Sequence, residues 1–191
     1  MPVPATPGWT VQDVVAHLAG IVDDGIHGNM VGAPGDAWTA AQVAKRHGWS
    51  MADVLAEWEA NAPTFESVAL RFPPMADITT HEQDLRGALA RPGARESAEL
   101  AYLLPIIVTY AAEHLAERHS GVVTVRAGAE EVTAGEGAAV LALSTSPWEL
   151  LRSVFGRRSA AQLHALPWQG VVDVDVTALC VFGPRDTDLL E

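Results

Sequence analysis

Met75 to Pro92 reads MADITTHEQDLRGALARP, and Asp77, His81 and Asp84 fall in it at i, i+4 and i+7. On a helix that spacing puts all three on one face at successive turns. About sixty residues upstream, Thr10 to Gly20 (TVQDVVAHLAG) carries a second helical pattern with one histidine, His17, on its apolar stripe. A carboxylate and an imidazole one turn apart, completed by a ligand from another helix, is a recurring way to hold a metal in a helical bundle. Spacing alone leaves plainer readings open. A histidine on an apolar stripe is commonly a satisfied core residue, and Asp77 with His81 also describes a solvated helix face with a weak ion pair.

The chain around these segments has 191 residues, enough for one good core or two small lobes. At 49% hydrophobic and 19% charged it is neither disordered nor fibrous. Its net charge of −12 argues against nucleic acid and anionic membrane surfaces as partners. The longest apolar-leaning run, Leu103 to Ala112, is too short to span a bilayer and contains Pro105. MPVPATPGW has neither a basic nor an apolar signal region, and the single cysteine, Cys180, excludes an internal disulfide. A cytoplasmic protein is expected.

Residues 1–9 hold three prolines and read as an extended lead-in. Thr10 with Asp13 forms a capping pair, and Val11, Val14, Val15, Leu18, Ile21, Val22 and Ile26 keep helical spacing to about Gly28. Residues 29–49 read as a long loop with a short helical turn near Ala40 to Arg46. Ser50 with Asp53 caps a further helix through Met51, Val54, Leu55, Trp58 and Ala62, with a kink or break expected at Pro63 and continuation through Phe65, Val68 and Leu70. Pro73 and Pro74 then open the helix of Asp77 and His81. Ser97 to Arg118 is a fourth long helix, bent at Pro105. Beyond Gly121 the pattern alternates: strands are expected over Val122 to Ala127, Ala138 to Leu143 and Val171 to Val176, with a helix over Trp148 to Phe155. The fold class expected is α+β, a helical bundle over residues 1–120 followed by a small α+β lobe over 121–191.

Three blocks extend the pattern: PGWTVQDVVAHLAG (Pro7 to Gly20), THEQDLRGALARPGAR (Thr80 to Arg95) and WELLRSVFGRRSAAQLHALPW (Trp148 to Trp168), with FGPRDTDLLE at the end. In order and spacing they resemble the signature blocks of the mycothiol-dependent maleylpyruvate isomerase family, within the DinB-like metal-binding bundles. The resemblance covers most of the chain. It implies a DinB-like bundle with a divalent metal, usually zinc, held by His17, Asp77 and His81. Family members often have glutamate where this chain has Asp77, and the shorter carboxylate suits zinc or nickel. Asp84 lies one turn beyond His81, placed either to fix that imidazole's tautomer by a hydrogen bond or as an ordinary exposed carboxylate.

The resemblance also implies mycothiol as cosubstrate. Metal coordination ionises a thiol that is otherwise mostly protonated at neutral pH, and no cysteine of the chain lies near the metal motifs. Thiolate addition, rotation and elimination would isomerise a conjugated cis double bond. Addition alone, or displacement, would be thiol transfer. The expected function is therefore a thiol-dependent isomerase or transferase acting on a small electrophile. A metal-dependent hydrolase using water, or a non-catalytic metal or ligand binder, are the alternatives.

Arg157 and Arg158 in the GRRS turn are candidates either to clamp a substrate carboxylate or to cap a helix end. Arg86 should pair with Glu82 on the outer face. His114 and His119 read as solvated surface, while His27, His47 and His164 have no partner at ligand spacing. Cys180 reads as buried and inert, and Trp38 and Trp49 as candidates for a pocket mouth. Family members usually carry a further helix before the PGWT block, where this chain has six residues. A misplaced start, a short variant, or completion of the bundle by a second subunit in a homodimer would each account for that.

Overall fold

The computed structural model describes residues 1–68, 72–170 and 173–191. It is a mixed α+β chain with its long helices mostly in the N-terminal part, and it divides into two compact units, Met1–Pro92 and Gly93–Glu191. The division into compact units falls at Pro92/Gly93, and the sequence reading places its domain boundary near residue 120. The long helix of residues 98–119 packs on the strands that follow it, so its apolar face belongs with the sheet.

The first unit is built on α1 (Val11–His27), with α2 (Asp36–Lys45), α3 (Met51–Val68) and α4 (Phe72–Ala88) each packed against it. The capping box reads as the sequence has it. Thr10 accepts from the Asp13 amide, the Asp13 carboxylate takes the Thr10 amide at 2.8 Å, and Gly28 closes the helix at φ 74°. Ten consecutive residues of α1, Val14 to Asp23, are buried, so no side of it faces water over nearly three turns. Val15, Ala16 and Ala19 pack against Val54, with Met51, Trp58 and Leu85 around them.

Two glycines let α1 be approached so closely. A Cβ on Gly25 would sit 2.5 Å from the Phe65 ring of α3, and one on Gly20 would meet α2 at the same distance. α3 runs unbroken through Pro63. The carbonyl that loses its partner there is that of Glu59, on an exposed turn where water can take it. The expected continuation through Leu70 lies outside the described residues.

Residues 1–10 are not an extended lead-in. Pro2 pairs with Thr10, the Val3 amide donates to the Trp9 carbonyl at 2.9 Å, and the Val11 amide donates to that of Met1. The segment is a closed loop that buries Val3 and Ala5 and turns at Gly8 with φ 88°. Prolines at 2, 4 and 7 stiffen a loop as readily as an extended strand, and the buried valine decides between the two.

In the second unit α5 (Ala98–His119) buries nine apolar residues against a four-stranded sheet of order β2-β1-β3-β4. β1 (Val122–Ala127) and β2 (Glu130–Ala134) form an antiparallel hairpin, β3 (Ala139–Thr145) runs parallel to β1, and β4 (Trp168–Gly170) is antiparallel to β3. Val123, Val125, Ala127, Leu141 and Leu143 supply the buried face. β2 has no apolar alternation because it is an edge strand, and its glutamates suit an edge. α6 (Pro147–Val154) and the short α7 (Ala160–His164) follow β3.

The strand expected over Val171 to Val176 is not formed in its described part. Residues 173–175 are irregular and Val176–Leu179 form a 3-10 turn, because the Asp175 carboxylate caps the Thr177 amide at 3.1 Å and bends the chain out of the sheet. Among the described residues no helix is long and apolar enough to cross a membrane.

Candidate metal centre

α1 and α4 pack together so that His17, Asp77 and His81 converge, one potential ligand atom from each lying within 4.8 Å of the others. His17 Nε2 is 3.2 Å from Asp77 Oδ2, and His81 Nε2 is 3.3 Å from Asp77 Oδ1. One carboxylate thus faces two imidazoles, one through each oxygen. Ligand atoms around a tetrahedral zinc with bonds of about 2.0–2.1 Å stand ~3.3 Å apart, and the His17–Asp77 contact has equally the length of a hydrogen bond.

Each imidazole is also met from behind by an oxygen. Gln42 Oε1 of α2 lies 2.7 Å from His17 Nδ1, and Asp84 Oδ2 lies 2.9 Å from His81 Nδ1. Asp84 is therefore far from the exposed carboxylate of the alternative reading: its side chain is fully buried beside the ring. At His17 an Nδ1–H donated to Gln42 Oε1 leaves Nε2 as the lone-pair nitrogen, which faces a carboxylate oxygen and is relieved by a proton or a cation between them. The donor set of two imidazoles and one carboxylate fits a divalent ion of the zinc type.

Burial opposes ionisation of Asp77, yet protons on the His17 and His81 rings, hydrogen-bonded to its oxygens, outweigh it and hold the carboxyl well below the usual carboxylate range; a cation in their place would favour the carboxylate in the same way. His17 and His81 are buried, whereas the Asp77 side chain is 33% exposed, so the centre is reachable from its carboxylate side.

Sequence reading missed Trp9. Its ring stacks on His81 at 6.1 Å and meets His17 edge-on at 5.3 Å, and Trp9 also lines a groove of about 720 Å³ with Asp13, Asp36, Val43 and His47. Trp38, expected at a pocket mouth, approaches His17 edge-on at 6.3 Å from α2, while Trp49 is half-exposed with its carbonyl accepting from Gln12. Gln42 was missed too. It sits in a stretch read as a loop for its glycines, Pro34 and two tryptophans, where nothing marks one glutamine as the partner of a histidine 25 residues away.

The arginines of the GRRS turn belong to the second unit. Arg158 is buried, its Nε and Nη2 on the two oxygens of Glu149 at 2.6 and 2.9 Å and its Nη1 on Glu191 at 2.9 Å. The guanidinium considered for a substrate carboxylate is engaged by two carboxylates of the chain itself, and Arg158 also lies over Trp148. Arg157 donates to the Phe155 carbonyl at 2.6 Å, near a helix end. Arg86 pairs with Glu82 at 2.8 Å on α4 as expected. His119 accepts from the Asp175 amide and His114 stacks on Tyr110, so neither is simply solvated surface. Cys180 is buried, donates to the Ser153 carbonyl, and has its thiol pushed up to about 11 by that burial.

No protein-family model, curated protein or solved structure matches this chain.

Proposed function

We propose that this protein is a divalent-metal enzyme in which His17, Asp77 and His81 hold the ion and an external thiol is the cosubstrate. The observation that carries the metal is the pair of imidazole Nε2 atoms at 3.2 and 3.3 Å from the two oxygens of one carboxylate. Three protein ligands leave a coordination position open, which is the mark of a catalytic rather than a structural centre. A bound ion, zinc or nickel, would supply Lewis acidity that makes a coordinated thiol or water acidic near neutral pH.

The remaining residues position and screen. Gln42 and Asp84 hold the two rings, and Trp9 shields one side of them. A small substrate would approach from the side of the partly exposed Asp77 carboxylate. The blocks around His17 and His81 resemble the mycothiol-dependent maleylpyruvate isomerase family, and with it the DinB-like bundle. From that resemblance come mycothiol as the thiol, and cis–trans isomerisation or thiol transfer on a small conjugated electrophile as the reaction. A cytoplasmic setting follows from the single cysteine and the need for a reduced thiol.

Metal content by elemental mass spectrometry, beside His17→Ala and His81→Ala, tests the centre. About one equivalent of divalent metal, lost in both variants, is expected; none after reconstitution ends the proposal. Turnover of a conjugated electrophile only when mycothiol is added would then support thiol chemistry. Turnover with metal alone would end the mycothiol reading and favour a metal-dependent reaction that uses water.

A further inference from the structure

Gly20 lies in the middle of α1, where its backbone is ordinary right-handed helix. Glycine at such a place weakens a helix relative to alanine, so its presence calls for a reason in packing. That reason is Gln42. A Cβ built on Gly20 would lie 2.5 Å from Gln42 Cβ, 2.6 Å from its Cγ and 3.0 Å from its Cδ. The glutamine side chain therefore lies across the bare backbone of α1, one turn beyond His17, and reaches that ring through the gap.

The glutamine is also oriented at its far end. Its Nε2 donates to Asp24 Oδ2 at 2.7 Å, so its amide oxygen is the atom turned to His17 Nδ1, at 2.7 Å. Its main chain is fixed as well. The Gln42 carbonyl accepts from Arg46 Nη1 at 3.1 Å, and Arg46, with a fully buried side chain, is itself held by Glu57 of α3 at 2.5 Å and by Asp23 of α1 at 3.4 Å. Both ends of the residue are anchored, and its one remaining acceptor points at the ligand ring.

We propose that Gln42 is a positioning residue that holds His17 in the tautomer with its proton on Nδ1 and its lone pair on Nε2, and that Gly20 is there to admit it. The inference rests on the metal reading above for its purpose, but not for its readout. Free histidine in water favours the opposite tautomer, with the proton on Nε2, so a ring released from Gln42 reverts and offers the wrong nitrogen to the ion. Outer hydrogen bonds of this kind tune metal affinity by about ten- to a hundredfold.

The experiment reads the tautomer directly, by long-range proton–nitrogen-15 correlation spectra of metal-free protein carrying Asp77→Ala, which removes the carboxylate oxygen 3.2 Å from His17 Nε2 that otherwise draws the proton to that side, above the range in which histidines titrate. This parent should show the His17 proton on Nδ1. Adding Gln42→Met, which keeps the volume and removes the acceptor, should move it to Nε2, and Gln42→Met with Asp77 intact should weaken cobalt(II) binding ten- to a hundredfold. Gly20→Ala should do the same from the opposite side, and the two changes together should weaken binding no more than either alone. Should Gly20→Ala fail to fold, Gln42→Met carries the test. A proton on Nε2 in the Asp77→Ala parent, or an unchanged tautomer on adding Gln42→Met, overturns the proposal. Protein with Asp77 intact that binds no cobalt, beside a tautomer switch in the Asp77→Ala pair, would remove the metal reading and leave the positioning role standing.

Discussion

α4 and α5 bury faces of opposite character. Among the residues of α4 whose burial is described, one buried residue is apolar, Ala76; the others are Thr79, Thr80, His81, Gln83 and Asp84. α5 buries Leu100, Leu103, Leu104, Ile107, Val108, Ala111, Ala112, Leu115 and Ala116, all apolar. Burying a leucine contributes roughly 1.5–3 kcal/mol, whereas a polar group taken out of water gains nothing unless every hydrogen bond is replaced. A helix that places most of its interior face in polar groups has been shaped by something other than stability. α5 makes a core, and α4 presents a site.

That contrast breaks if the two helices respond alike to substitution. The largest expected effect is on α4. His81→Ala should abolish stoichiometric metal binding and should also cost the metal-free protein about 1–3 kcal/mol, since the ring it removes is buried and lies 2.9 Å from the fully buried Asp84 carboxylate. Elemental analysis and urea titration read the two halves of that statement. Leu115→Ala on α5 should lose about 2–5 kcal/mol of stability with metal stoichiometry intact. A Leu115→Ala protein that folds but binds no metal would erase the distinction.

A smaller effect sharpens the comparison within α4. Asp84→Asn keeps the shape but replaces the carboxylate behind His81, and should weaken cobalt(II) affinity about ten- to a hundredfold, read by competitive titration. An unchanged affinity would make Asp84 a bystander. The second unit has its own titratable reporter in Cys180. Its thiol is raised to about 11 by burial, so the folded state favours the protonated form. Stability from this group is present below the unfolded thiol pKa and is lost as pH rises through the folded one. Denaturant midpoints should thus fall between about pH 9 and 11 by up to ~2–3 kcal/mol in wild type, and less steeply in Cys180→Ala.

How much of this was legible depended on whether the signal was local. α1 could be read from Thr10 to Gly28 because cap, apolar period and terminating glycine all act within the helix itself. The face of Asp77, His81 and Asp84 was legible for the same reason, since helical spacing is a property of adjacent turns. Gln42 was not, because its role depends on how a 10-residue helix lies across α1. β2 hid behind glutamates that suit an edge and carry no inward period. The pairing of Arg158 with Glu149 and Glu191 joins residues 9 and 33 positions away, which no local pattern encodes. Local physics writes itself into sequence, and side chains meeting across elements leave no such trace.

The ring of Trp9 has one more consequence. An indole stacked on one imidazole and edge-on to another shares their electronic surroundings, and its excited state is quenched by whatever those rings carry. The emission lost in a Trp9→Phe protein is then the part of the spectrum that follows the centre. Filling the centre with a paramagnetic ion should darken that component, together with that of Trp38 at 6.3 Å from His17, more than the light of the other four tryptophans. The chain carries its own lamp beside the site, and the occupancy of the centre can be followed by eye of a fluorimeter without any label.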